Sequence, residues 1–154
     1  MTPNRLETLP QPALLLGLAG LVPFVAFAVQ VVAGRPLDPR MTGPALYALQ
    51  IYGAVILSFL GGIQWGLAVA SADRSDAWRR YGLSVLPSLV AWAGMWLGGR
   101  NGLITLAVGV GLWGLYELWS TGLGEAPRWY GRLRLALTAV VVTALGAAAR
   151  FGPF

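Results

Sequence analysis

Glu117 is the only charged residue well inside the long apolar stretches of this 154-residue sequence, which makes it the first candidate for chemistry. Those stretches also contain the uncharged polar residues Gln64, Ser84 and Thr138, and Arg134 stands at the start of the last one. Polar groups are costly in an apolar environment, so they either pair with one another or serve a function. A lone carboxylate in such a place could hold an arginine or carry a proton.

The composition excludes most catalytic chemistry. The sequence has no His and no Cys, so it can form no disulfide, no thiol nucleophile and no metal site built on imidazole or thiolate. Only 11% of the residues are charged and 56% are hydrophobic, whereas soluble domains carry roughly 25% charged residues. We therefore predict an integral membrane protein that is not an enzyme, with no catalytic residues, no cofactor and no metal.

Five stretches are apolar enough to cross about 30 Å of hydrocarbon, which takes roughly 20 residues of helix. The predicted fold class is therefore all-α, a single membrane domain of five transmembrane helices. Arg100 and Asn101 separate the third and fourth stretches, so these two should form an antiparallel hairpin. The fifth is short unless Arg134 and Arg150 extend their guanidinium groups to the two membrane surfaces. The predicted spans are at about residues 13–33, 45–72, 81–99, 102–120 and 135–149.

The arginines predict the orientation, because cytoplasmic loops carry an excess of basic residues. Seven arginines fall on the side of the amino terminus and four on the other side, which favours a cytoplasmic amino terminus. The net charge of +5 is spread over both surfaces, so we expect contact with lipid headgroups and no nucleic-acid partner. The seven are Arg5, Arg74, Arg79, Arg80, Arg128, Arg132 and Arg134; the four are Arg35, Arg40, Arg100 and Arg150.

Small residues recur at every fourth position of the second span. Such a ridge lets helix backbones approach closely, which drives association in lipid. We predict that it seats the second helix against its neighbours in the same chain, or that it forms the seam of a homodimer. The predicted helix-packing residues are Ala54, Ser58, Gly61, Gly62, Gly66 and Ala70, with Gly62 and Gly66 forming a GxxxG motif.

The polar residues of the spans are predicted to form one layer in the cytoplasmic half of the bundle, because Gln64 and Glu117 lie at equal depth when the helices alternate in direction. In a structural interpretation Glu117 pairs with Arg134 or Arg132, and Gln64 caps a carbonyl that a proline leaves free. In a functional interpretation the layer is the floor of a pocket. Its candidate binding residues are Gln64, Ser84, Glu117, Arg134 and Thr138, surrounded by Trp65, Trp113 and Tyr116.

Two sequence segments carry a family resemblance. The run YGAVILSFLGGIQWG at residues 52–66 and the run PRWYGRLR at residues 127–134 resemble the membrane proteins grouped as domain of unknown function 3429, which include the transmembrane protein 69 group of animals. The resemblance implies a polytopic protein of the bacterial inner membrane and supplies no activity. Gln64 departs from it, since a basic residue is expected to be common at that position.

Two function hypotheses remain open. The first is a non-catalytic bundle that binds lipid, a hydrophobic small molecule or a membrane-protein partner, with a role in assembly or as a scaffold. The second is a small transporter or channel-like protein that uses Glu117, in a homodimer if five helices are too few. The first hypothesis is the simpler one, because it requires no chemistry of any residue beyond packing and polar contacts.

Overall fold

The computed structural model describes residues 9–33, 42–70, 76–122 and 127–154, and in these parts the chain forms helices and short connections without strands. The all-α fold class is therefore confirmed. The predicted end of the second span at residue 72 lies outside the described residues, as do Arg5, Arg35, Arg40 and Arg74. The helices are α1 (Gln11–Ala33), α2 (Thr42–Ala70), α3 (Ala77–Leu97), α4 (Gly99–Gly122) and α5 (Arg128–Phe151).

Four of these helices are long and apolar enough to cross a membrane, namely α1, α2, α4 and α5. The α3 helix, where residues 81–99 were predicted to form the third span, is not one of them. Its first turn contains Arg79 and Arg80, and Pro87 and two serines further lower the hydropathy of the remainder. The described part of the chain thus contains five helices, of which four are candidate membrane spans.

The helices are arranged as a ring in chain order. Each packs against the next along the chain, α1 also packs against α5, and α2 crosses the ring to contact α4. Large apolar side chains also cover much of the outer surface, as at Leu16, Phe59 and Leu112. A bundle that is apolar both inside and outside suits a hydrocarbon surrounding. The centre of the ring is filled by fully buried side chains, among them Phe24, Leu49, Leu57, Leu60, Leu103, Leu106 and Leu145.

The α3–α4 hairpin is present, but its turn lies earlier than predicted. Gly98 and Gly99 adopt φ angles of 59° and 49°, which favour glycine, while Arg100 and Asn101 belong to the first turn of α4. The two helices are antiparallel: a Cβ on Gly94 would lie 3.0 Å from Cγ of Leu106. Deeper in the hairpin, Gly109 faces Val90 in the same register.

The fifth helix is longer than the sequence predicted. It begins at Arg128, directly after Pro127, and its 24 residues suffice to cross the hydrocarbon without help from arginine side chains. The condition set for a short fifth span, that Arg134 extends its guanidinium to the membrane surface, is therefore not needed. The side chain of Arg134 instead turns into the bundle, where its exposed fraction is 13%.

Candidate functional site

The carboxylate of Glu117 lies at the interface of α4 and α5 and is completely buried, with an exposed fraction of 0%. Arg134 donates a hydrogen bond from Nε to Oε2 of Glu117 at 2.6 Å, and the Tyr130 hydroxyl donates to Oε1 at 2.8 Å. Both carboxylate oxygens therefore have a donor. Of the two predicted partners, Arg132 and Arg134, the structure selects Arg134.

Two glycines allow α4 and α5 to approach closely on either side of this ion pair. A Cβ on Gly114 would lie 2.7 Å from Oγ1 of Thr138, and a Cβ on Gly131 would lie 3.0 Å from Cγ2 of Thr121. Both distances are shorter than an ordinary van der Waals contact, so neither position accepts a larger residue without movement of the helices. The short interhelical distance places Glu117 and Arg134 within hydrogen-bonding reach.

The backbone carbonyl of Glu117 is also engaged. The hydroxyls of Ser120 and Thr121 donate to it at 3.2 Å and 2.7 Å. Both bonds reach the same carbonyl, five residues before the end of α4. Every strong acceptor of Glu117 is thus satisfied by the chain itself, so the arrangement can neutralise a buried charge and hold two helices in register.

Two other buried polar atoms in the same region have no hydrogen-bond partner among the described residues. They are Nε1 of Trp113 and Oγ1 of Thr138. Trp113 lies one turn before Glu117, and Thr138 lies one turn after Arg134. Thr138 was predicted as part of the polar layer and Trp113 as one of the residues around it, and the structure places them on the two helices that hold the ion pair.

The remaining predicted residues lie on α2 and α3, except Tyr116, which lies on α4. The Ser84 hydroxyl donates to the carbonyl of Tyr81 at 2.7 Å, and the Trp65 ring packs edge-on against the Tyr81 ring with centroids 4.8 Å apart. Gln64 is half-buried and caps no carbonyl within the described part of the chain, which contradicts that detail of the structural interpretation. The Tyr116 ring lies 5.0 Å from the Trp113 ring.

Sequence reasoning missed Tyr130 and Gln50. Tyr130 entered the sequence analysis only within the run at residues 127–134, although it stands one helical turn before Arg134 and so shares its face once α5 begins at Arg128. Gln50 has an exposed fraction of 4%, and its Nε2 donates to the carbonyl of Gly99 at 2.9 Å. Gln50 could have been identified from the sequence, because it is a polar residue within an apolar stretch.

The predicted packing ridge on α2 is only partly used within the chain. Gly61 is buried, and a Cβ there would collide with the carbonyl oxygen of Ser84. Gly62 and Gly66 are exposed, with no atom within 4 Å of an added Cβ, and Ala70 is also exposed. The interpretation that these three seat α2 against its own neighbours is therefore wrong. Ala54 and Ser58 are half-buried beside the face that Gly61 occupies.

The hydrogen bond of Gln50 predicts a measurable stabilisation of the α3–α4 turn. Replacing Gln50 by Leu leaves the Gly99 carbonyl without this donor, and we expect the free energy of unfolding to fall by about 1 kcal/mol. Gln64→Leu is the matched control and should change it by less than about 0.5 kcal/mol. Chemical unfolding in detergent micelles measures both, and an equal loss in the two variants would contradict the role of Gln50.

No group of three or more carboxylates or other metal-ligating side chains lies together in the described ranges. The fold and the buried ion pair instead define a class, that of the multi-pass α-helical membrane proteins. Within this class, the chain belongs to the family described as Protein of unknown function (DUF3429), which matches residues 9–150. The resemblance seen in residues 52–66 and 127–134 is thereby confirmed.

The chain is similar to proteins named Transmembrane protein 69. The one from Xenopus tropicalis is 36% identical over 151 residues, which cover 92% of this chain and 55% of that protein. The one from Mus musculus is 33% identical over 134 residues, which cover 85% of this chain and 52% of that protein. The chain thus spans about half the length of these relatives. No solved structure matches it.

Proposed function

We propose that the chain is a non-catalytic membrane bundle that holds a lipid chain between α1 and α5. The observation that carries this proposal is a groove of about 600 Å³ between the two helices. All but one of its lining residues are alanine or valine, and the exception, Thr143, donates its hydroxyl to the carbonyl of Ala139. The wall therefore offers an occupant apolar contact without a free hydroxyl donor.

The chemistry of the wall favours an unbranched or slender apolar occupant. Small side chains such as Ala139 and Ala147 let an occupant approach the helix backbone, and dispersion contacts then accumulate along its length. Within hydrocarbon the hydrophobic effect adds little, so close packing must supply the affinity. An acyl chain of the surrounding bilayer meets these requirements without any polar recognition.

The proposed setting is the bacterial inner membrane with a cytoplasmic amino terminus. The uneven distribution of arginines in the sequence supports the orientation, and the relatives named Transmembrane protein 69 support a membrane location. We further propose that α3 is the fifth span, because it packs between α2 and α4. A membrane-protein partner or a second copy of the chain could join such a bundle, whereas the arginines in the described ranges are divided between its two ends and offer a nucleic acid no continuous surface.

The transporter alternative requires Glu117 to exchange a proton with one side of the membrane. The proposal does not use it in this way, because Tyr130 and Arg134 occupy both carboxylate oxygens. Reconstituted protein that moves a substrate or protons, with movement abolished in Glu117→Gln, would favour the alternative.

Lipid retention tests the proposed groove directly. We expect the protein purified in mild detergent to retain lipid, and the double variant Ala139→Phe/Ala147→Phe to retain several-fold less, because two phenyl rings fill the groove. Native mass spectrometry counts the bound lipid. Ala136→Phe is the matched control, since Ala136 is an exposed alanine of α5 that does not line the groove.

The same purification separates the other roles. Equal lipid retention in the double variant and the control would contradict the groove between α1 and α5. A stoichiometric membrane-protein partner in place of lipid would favour a role in assembly.

A further inference from the structure

A second groove lies between α4 and α5, and it combines an apolar wall with two arginines. Its volume is about 270 Å³. Arg100 and Arg150 stand at its rim, and the wall between the helices is formed by Ile104, Ala107, Val108, Gly146 and Ala149. This combination differs from the groove between α1 and α5, whose lining includes no charged residue.

The two arginines lie at one end of the bundle, where lipid headgroups would meet helices that span a bilayer. Arg100 is the second residue of α4 and Arg150 is the last residue but one of α5, so each belongs to a terminal turn. The α4 helix leaves this surface and α5 returns to it, which brings both guanidinium groups to the same end. Ile104 and Val108 follow one and two turns further from this end of α4.

Neither arginine has a carboxylate partner among the described residues. The two side-chain carboxylates there, Asp76 and Glu117, are paired with Arg79 and Arg134. Arg150 lies against the Phe151 ring, with Cζ 5.3 Å from the ring centroid, a contact that leaves its donors available. The amino-terminal end of α4, beside Arg100, adds the positive pole of a helix dipole.

We propose that this groove binds one anionic phospholipid, with the phosphate held by Arg100 and Arg150 and part of an acyl chain along Val108 and Gly146. The proposal extends the proposed function by adding a headgroup class, but it concerns a different groove. Guanidinium groups suit phosphate because their donors form paired hydrogen bonds with its oxygens. Charge complementarity above an apolar wall is what selects an anionic lipid over a free anion or a zwitterionic lipid.

The headgroup is tested with Arg100→Gln/Arg150→Gln in detergent micelles. Native mass spectrometry titrates the protein with phosphatidylglycerol and with phosphatidylcholine of the same acyl chains. We expect the double variant to bind phosphatidylglycerol about thirtyfold more weakly, and each single variant about fivefold, with little change for phosphatidylcholine. Arg128→Gln/Arg132→Gln is the matched control, because it removes the same charge from exposed arginines near the other end of α5.

The acyl-chain half of the site is tested with Gly146→Leu. A Cβ at Gly146 has no atom within 4 Å, so the leucine can enter the groove without disturbing the helices. We expect it to weaken phosphatidylglycerol binding several-fold and to leave the unfolding transition unchanged or slightly raised. Gly82→Leu, at an exposed glycine of α3 with equal space, should not affect binding.

Three results would overturn the proposal. One is an equal loss of phosphatidylglycerol binding in Arg128→Gln/Arg132→Gln, which would show that binding depends only on the net charge of the protein. Another is equal binding of both lipids by the unmodified chain. The third is full displacement by millimolar glycerol 3-phosphate, which would make the ligand a free anion. None of these results depends on Ala139 or Ala147, so this proposal is tested independently of the proposed groove between α1 and α5.

Discussion

Replacement of Glu117 by Ala is expected to lower the free energy of unfolding by about 3–5 kcal/mol, because it leaves the Arg134 guanidinium buried without its counter-charge. The carboxylate is fully buried, and the exposed fraction of Arg134 is only 13%, so water cannot take its place at low cost. Tyr130 also loses the acceptor of its hydroxyl. Unfolding by denaturant in detergent micelles measures the loss.

The double variant Glu117→Ala/Arg134→Ala separates an ion pair from two independent contributions. Removing both partners also removes the uncompensated charge, so we expect it to be clearly more stable than Glu117→Ala alone. Asp76→Ala/Arg79→Ala is the control, because that pair is about half exposed and should contribute no more than about 1 kcal/mol. If the double variant at the buried pair is no more stable than the single one, the coupling is refuted.

The buried ion pair could be anticipated from the sequence for a simple reason. A carboxylate is so unfavourable in hydrocarbon that it must find a donor, and the arginines after Glu117 were the nearest candidates. The choice of Arg134 over Arg132 required a helix phase, which depended on where α5 begins. Because apolarity alone defined the predicted span from residue 135, the first turns of α5, including Tyr130, fell outside the predicted helix.

The face by which α2 packs could not be obtained from the spacing of small residues. The sequence offers Gly61 and Gly62 side by side, and their directions differ by the rotation of one helical residue. The packing partner α3 determines which glycine is required, because its Ser84 and Pro87 leave room only for a residue without a side chain at position 61. Such shape complementarity between helices distant in sequence has no signature in a pattern of small residues.

The two adjacent glycines therefore predict opposite effects of the same substitution. Gly61→Ala places a Cβ against the backbone carbonyl oxygen of Ser84, which cannot move aside as a flexible side chain could. We expect a loss of about 2–3 kcal/mol in the free energy of unfolding as α2 and α3 are forced apart. Gly62→Ala meets open space and should stabilise the helix by about 0.5–1 kcal/mol, because alanine is the better helix former.

The sign of the Gly62→Ala effect also bears on the homodimer. If a second copy packs closely on Gly62 and Gly66, the added methyl group meets a neighbour that the single chain does not contain, and the expected gain becomes a loss that grows with protein concentration in the micelle. A gain in stability that is independent of protein concentration would mean that lipid, and no second copy, covers the face of Gly62 and Gly66. Equal destabilisation by Gly61→Ala and Gly62→Ala at every dilution would contradict the packing of α2 against α3, since only Gly61 faces α3 in the structure.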